Sequence, residues 1–289
     1  MSDLRGFLRT RRERLTPADV GLPDSGRRRT PGLRREEVAA LAGVSIDYLT
    51  RLEQGRDTNP SAAVLGALAD ALRLEEDDKR YLRDLVKMQH LKENTAMCPG
   101  GQEPDRAVAP TVRTLLARLE PTPAFVVGPY GTVLAHNGPW ERVVSPLGML
   151  DGDEPNLARY VFRNEASRAA YADWGAAADE QVSHLRTASV RWHEDPQLAA
   201  LLDELAAVPE FSERWTSHDV ATKRRGHKTL RHPAVGDLRL AYEVLELSEE
   251  HQRLVTWLAA DEQAERALAA AAGAGRAESP PRLRVVGED

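Results

Sequence analysis

Five side chains between residues 46 and 54 have types and spacing suited to contacting the edges of DNA base pairs. On a helix of 3.6 residues per turn they share one side, because positions three and four apart are neighbours. Isoleucine can touch a thymine methyl group, and aspartate can accept a hydrogen bond from cytosine N4. An acid in the first helical turn can instead stabilise its own helix through the helix dipole. The aspartate could therefore contact a base or only stabilise its helix. The five residues are Ile46, Asp47, Thr50, Arg51 and Gln54.

The segment from Arg34 to Arg56 predicts the two helices that would hold these side chains. Gly43 suits a turn with positive φ, and Ala39 is small enough for a second helix to cross there. Ser45 lies where an N-cap belongs, and Gly55 follows the expected end of the second helix. The apolar positions predict that the helices pack together through Val38, Leu41 and Ala42 on the first and Val44, Leu49 and Leu52 on the second. The pattern indicates a helix-turn-helix, although an ordinary helical corner would share much of it.

The charge is unevenly distributed along the chain. The net charge is −6 over 289 residues, yet residues 1–35 contain ten arginines and four acids. Arginines neutralise phosphates, so a basic front on an acidic body is typical of a DNA-binding head. Arg28 and Arg29 could lie along the phosphates or form only a solvated charge run, and Arg35 and Gln54 are further candidates for phosphate contacts.

The apolar periodicity predicts two domains and a connection. Five helices are expected within residues 1–88, a linker at 89–110, a second domain at 111–270 and a disordered tail at 271–289. In the second domain, the runs AFVV and TVLA predict a hairpin. A helical block from about Asn156 to Arg214 and three more strands follow, which together favour an α+β arrangement.

Several strings resemble known families. GVSIDYLTRLEQGR followed by NPSAAVLGALADALRL resembles the XRE, or lambda-repressor-like, helix-turn-helix family. RRTPGLRREEVA is similar to the DNA-binding half of the MmyB-like transcription regulators. VLAHNGPW, NLARYVF, FSERWTSHDV and KTLRHPAVGDLRLAYEVLEL resemble the ligand-binding half of that family, which is PAS-like. The resemblance implies a multidomain fold, an all-α lambda-repressor-like helix-turn-helix head followed by an α+β PAS-like domain.

The resemblance also implies a sequence-specific regulator that binds double-stranded DNA. Readers of this class usually act as dimers, so a homodimer is expected. The residues expected to contact DNA are Arg28, Arg29, Arg34, Arg35, Ser45, Ile46, Asp47, Thr50, Arg51 and Gln54.

All five tryptophans lie in the second half of the chain, where large aromatic residues usually build a core. A core is the first interpretation here too, but a PAS-like domain with a cavity lined by aromatic and a few polar groups is also a ready small-molecule site. The resemblance implies an apolar, fatty-acid-like ligand and no other cofactor. The candidate ligand-binding residues are Asn137, Trp140, His218, Arg231 and Tyr242.

Other functions have weaker support. His218, His227 and His232 with Asp219 match no compact metal motif. The sequence has no GxSxG elbow, P-loop or GxGxxG, so we expect no enzyme. Two alternatives stay open, a DNA-tethered hydrolase or transferase that uses His218, and a second domain that binds a protein partner. Without a run of eighteen apolar residues or an apolar signal segment, no membrane is expected and the cytoplasm is the default location.

Overall fold

The computed structural model describes residues 4–23, 32–57, 59–93, 106–192, 194–217, 225–247 and 251–273. The chain divides into two compact units. The first contains Met1–Glu103 and Ala178–Thr222, and the second contains Pro104–Ala177 and Lys223–Asp289. The contacts thus group residues 178–222 with the amino-terminal helices, whereas the sequence analysis places them in the second domain.

The first unit begins with the five predicted helices. The last of them continues to Glu93 and so passes the expected boundary at residue 88, since neither glycine nor proline interrupts it there. The tail expected at 271–289 lies almost wholly outside the described residues. The helices are α1 Leu4–Arg14, α2 Arg35–Ala42, α3 Ile46–Glu53, α4 Ala62–Ala71 and α5 Glu76–Glu93.

The second unit starts with a helix, a hairpin and three short helices. As predicted, the runs AFVV and TVLA form antiparallel strands. The elements are α6 Pro110–Arg118, β1 Ala124–Val127, β2 Val133–His136, α7 Gly138–Val144, α8 Leu157–Arg163 and α9 Ala166–Ala170.

Three further helices complete the helical block, α10 Trp174–Arg191, α11 Pro196–Ala206 and α12 Pro209–Ser217. Asp195 caps α11 by accepting from the amides of Gln197 and Leu198, and Pro196 occupies the first turn as expected. The division between the units falls within α10, at residue 178.

The chain then adds three strands and a helix, β3 Arg225–His232, β4 Gly236–Leu247, β5 Gln252–Ala259 and α13 Glu262–Ala271. The five strands form one antiparallel sheet in the order β2-β1-β5-β4-β3, which confirms the α+β arrangement. Helix α13 was not predicted, although Asp261 caps it and alanine, glutamate and arginine follow. No helix in the described ranges is long and apolar enough to cross a membrane.

Residues of α10 complete the core of the first unit. Val190 is 6% exposed and packs with the buried side chains of α1 to α5. Arg186, one turn earlier, is also buried and donates to the carbonyl oxygens of Arg214 and Trp215 at the end of α12. Burial lowers the pKa of Arg186 to about 10, and the positive charges of Arg11 and Arg14 on α1 add to the lowering. The amino-terminal helices therefore share their core with a segment from much later in the chain.

We predict that Val190→Ala loosens the amino-terminal helices because it leaves a cavity in their core. A loss of about 1–3 kcal/mol is expected for two buried methyl groups. Hydrogen exchange in the full chain should show faster exchange of the α1 and α5 amides, whereas Ala200→Ser on the exposed side of α11 should not. Unchanged protection of α1 and α5 in Val190→Ala would contradict the shared core.

Candidate functional site

The two helices α2 and α3 meet in the turn that the sequence predicts. Gly43 ends α2 with a φ of +64°, and Ala39 is 1% exposed. The Ser45 hydroxyl accepts from the amide of Tyr48 at 3.1 Å and so caps α3. Gln54 is the C-cap of α3, and Gly55 comes directly after it with a φ of +69°. The local geometry of the helix-turn-helix is confirmed.

The predicted packing between the helices is confirmed except at one position. Val38, Leu49 and Leu52 are at most 1% exposed, but Leu41 is 40% exposed. The buried stripe of α2 passes through Val38, Ala39 and Ala42, which puts Leu41 beyond its edge. The prediction that Leu41 packs in this core is therefore wrong.

The outward side of α3 carries Ile46, Asp47, Thr50 and Arg51, and Gln54 follows at the end of the helix. Ile46 is 49% exposed, and the side chains of Asp47 and Arg51 are 85% and 44% exposed. Asp47 Oδ2 lies 2.8 Å from Arg51 Nη1. The Thr50 hydroxyl donates to the Ile46 carbonyl at 2.7 Å. Its lone pairs and methyl group therefore remain for any further contact.

A buried carboxylate lies behind this surface. The Glu53 side chain is only 1% exposed, at the end of α3. Arg12 Nε of α1 lies 2.7 Å from its Oε1, and Arg35 Nε of α2 lies 2.6 Å from its Oε2. Arg12 also donates to the Leu33 carbonyl at 2.9 Å. Three helices are therefore joined at one charged group, which the sequence analysis did not identify.

The arginines expected to contact phosphates differ in their surroundings. Arg35 is held by Glu53 while 44% of its side chain stays exposed. Arg34 is exposed, and its backbone amide donates to Glu37 Oε2 at 2.6 Å. Arg28 and Arg29 lie outside the described residues.

In the second unit, aromatic rings cover one face of the sheet. The ring centroids of Phe125 and Trp140 are 4.5 Å apart, and Trp257 lies 5.8 and 5.9 Å from them. The indole N–H groups of Trp140 and Trp257 are buried without a hydrogen-bond partner within the described part of the chain. Lys228 Nζ lies 4.5 Å from the ring centroid of Tyr242 and 5.9 Å from that of Trp257. We call these five side chains the aromatic face.

The predicted ligand-binding residues divide between this face and other places. Trp140 and Tyr242 belong to the aromatic face, and both are buried. Arg231 is exposed and, three residues from Lys228 along β3, lies on the opposite side of the sheet. His218 lies outside the described residues.

Asn137 is engaged by the backbone around it. Its Oδ1 accepts from the amides of Ala124 and Trp140, at 3.0 and 3.1 Å. Its Nδ2 donates to the carbonyls of Thr122 and Leu116, at 2.8 and 3.4 Å. All four hydrogen bonds that the amide readily makes are thus used by the fold, so Asn137 has no spare donor or acceptor for a ligand.

A cleft of about 650 Å³ opens between α6 and β2. Apolar side chains and a few polar ones line it, and the polar ones include Arg113, Glu120, His136 and the predicted ligand residue Asn137. Over the described ranges, no cluster of three or more His, Cys, Asp or Glu side chains could hold a metal ion. His218 and Asp219, whose spacing with His227 and His232 matches no compact metal motif, are not within those ranges.

We predict that Glu53→Gln destabilises the first unit, because it leaves the buried Arg12 guanidinium without its counter-charge. Breaking a buried ion pair from one side typically costs about 3–5 kcal/mol. Urea unfolding should show this loss. Glu76→Gln removes an exposed partner of Arg83 and should leave the midpoint nearly unchanged. Equal midpoints for the two variants would contradict the role given to Glu53.

Comparison with known families agrees with this geometry. Residues 3–82 match a helix-turn-helix domain, which contains the turn, the exposed side of α3 and the Glu53 ion pairs. Residues 108–271 match the MmyB-like transcription regulator ligand binding domain, which contains the sheet and its aromatic face. A comparison with curated proteins found no match. The second match covers more than half of the chain, so the chain belongs to the MmyB-like transcription regulators, with a helix-turn-helix domain before the ligand-binding domain.

Proposed function

We propose that this DNA-binding regulator reads its operator with the exposed side of α3 and responds to a small apolar, fatty-acid-like ligand bound at the aromatic face. The observation that carries the first part is the row of exposed Ile46, Asp47 and Arg51 and half-buried Thr50, on a helix anchored at its buried side by Glu53. Such a rigid support matters because base contacts discriminate only when the side chains are held in place.

The dimensions of α3 suit the major groove. Its eight residues span about 12 Å, and the groove is about 12 Å wide. Ser45 and Ile46 begin the helix, so its first turn would meet the base edges. Arg34 and Arg35, at the start of α2, would bind the phosphates beside it. Gln54, exposed at the end of α3, is a further phosphate contact, and Arg28 and Arg29 could extend the set.

The chemistry of the aromatic face suggests what the ligand must offer. Buried indole N–H groups without partners cost free energy unless an acceptor meets them. An apolar body would pack on the rings of Trp140 and Trp257, and an acceptor head group would meet their N–H groups. Lys228 would favour an anionic head, so it replaces Asn137 and Arg231 in the proposed set. The Tyr242 ring makes a cation–π contact with the Lys228 ammonium group. His218 stays a candidate on the basis of the sequence alone.

Control by the ligand would follow from linkage. A ligand shifts DNA binding only to the extent that it prefers the DNA-competent or the DNA-incompetent state. We further propose a homodimer, because one helix-turn-helix contacts too little of the duplex for tight specific binding.

We predict that Arg34→Ala and Arg35→Ala weaken binding to all DNA sequences, because each removes a phosphate contact. Titrations with operator DNA recovered by genomic footprinting, repeated across salt concentrations, should show a slope reduced by about 0.9 per lost contact. Arg83→Ala on α5 is a matched exposed control and should keep the wild-type slope. Unchanged slopes in both α2 variants would refute these phosphate contacts.

We predict that dodecanoate stabilises the ligand-free protein more than dodecanol does, because Lys228 pairs with the carboxylate. A ligand at 100 times its Kd adds about 2.7 kcal/mol, so thermal unfolding is sensitive enough. Lys228→Met should remove the preference for the acid, and Arg231→Ala, on the other side of the sheet, should retain it. Equal stabilisation of wild type and Lys228→Met by the acid would count against this site.

We predict that two chains bind each operator, with protected half-sites about 10 base pairs apart or a multiple of that spacing. Sedimentation of the protein with labelled duplex gives the stoichiometry, and footprinting gives the spacing. A single chain bound to one half-site at saturating protein would contradict the homodimer.

A further inference from the structure

The exposed side of α3 carries a carboxylate at the surface that would meet DNA. Asp47 is 85% exposed, and a negative charge beside phosphates weakens binding to every DNA sequence. Glu53, on the same helix, differs because it is buried and takes part in the core of the unit. Asp47 has no such structural duty, so its position calls for another explanation.

The contacts of Asp47 indicate what it does. Its Oδ2 lies 2.8 Å from Arg51 Nη1, one helical turn later. The Arg51 guanidinium carbon also lies 5.6 Å from the ring centroid of Tyr48. The arginine is therefore held from two directions while 44% of its side chain stays exposed. A long side chain loses less rotamer entropy on binding when it is already held in one orientation.

Because Ser45 already caps α3, Asp47 is not needed to cap the start of this helix. Ser45 already accepts from the amide of Tyr48. The contact found for the Asp47 carboxylate is the arginine rather than a backbone amide of the first turn. A carboxylate that served only the helix dipole would change the stability of α3 and leave base preference unchanged.

We propose that Arg51 reads a guanine in each half-site and that Asp47 is a positioning residue that orients it. Guanine offers two acceptors in the major groove, O6 and N7, and a guanidinium fork donates to both. In this assignment the Asp47 carboxylate pairs with Arg51 rather than accepting from cytosine N4. Where guanine is absent, the arginine gains no base contact, and the repulsion between Asp47 and the phosphates remains.

This inference rests on the proposed reading by α3 and makes a distinctive claim about Asp47. Asp47→Asn should bind non-specific DNA more tightly, because a repelling charge is lost. The same variant should discriminate less well for guanine, because Arg51 is no longer held. A residue that only stabilised the fold would lower both affinities together.

The test uses the full chain and a pool of duplexes with randomised positions, followed by titration of the selected site and of single-base variants. Wild type should select a guanine in each half-site, and Arg51→Ala should lose that preference by on the order of 10-fold or more. Asp47→Asn should lose several-fold of that preference, and Asp47→Glu should recover part of it. Adding Asp47→Asn to Arg51→Ala should not change the base preference further, although it should still tighten non-specific binding. Asp70→Asn, which breaks another exposed pair in the same unit, should match wild type.

The outcomes separate the inference from the proposed function. If wild type selects no sequence at all, the proposed reading by α3 fails. If wild type selects a site but Arg51→Ala keeps every base preference, the guanine contact is refuted. If Asp47→Asn loses a cytosine preference instead, or lowers specific and non-specific affinity equally, the positioning role is refuted.

Discussion

The buried carboxylate of Glu53 is the interaction on which the geometry of the first unit depends. An ionised carboxylate without a partner in an apolar core is strongly destabilising, so the fold must bring cations to it. Arg12 and Arg35 meet its two oxygens from α1 and α2. These two ion pairs, on the buried side of α3, therefore fix the orientation of the helix. Its exposed side can then carry polar and apolar residues that contribute little to the core.

In the second unit, some buried polar side chains form hydrogen bonds with the protein backbone and others have no partner among the described residues. The side-chain amides of Asn137 and Asn156 form hydrogen bonds with backbone groups. For example, the Oδ1 of Asn156 accepts from the amides of Ala158 and Arg159. Among the residues that the structure describes, the buried indole N–H groups of Trp140 and Trp257 have no such partner. Since buried donors are usually satisfied, these two are the more informative polar groups. Under the proposed function, these two donors would meet the acceptor group of a ligand.

The sequence predicts the features that depend on neighbouring residues. The turn at Gly43, the cap at Ser45 and the β1–β2 hairpin follow from local patterns, and the structure confirms them. Features that depend on distant partners were not predicted. Nothing near Glu53 in sequence shows that an arginine 41 residues earlier neutralises it, and a charged residue is ordinarily placed on the surface. Likewise, Val190 gives no local sign that its helix packs with α1 to α5.

The sequence also did not predict on which face of the sheet a given residue lies. A change of one residue in strand register moves every side chain to the other face. The sequence offers Arg231 as a polar partner for a ligand head group, but the pairing of β3 with β4 puts Lys228, and not Arg231, on the aromatic face. The same holds for Leu41 on α2. It lies about 60° around the helix axis from buried Val38, and this is enough to move its side chain from the core to the surface.

The claim that α3 meets DNA can be tested most directly by photo-crosslinking. A photoreactive amino acid at Ile46 should form adducts with genomic DNA fragments, because this residue is 49% exposed at the start of α3. The same amino acid at Leu115, which is 44% exposed on α6, is the matched comparison and should form few or none. Efficient crosslinking from position 115 with none from position 46 would contradict the account.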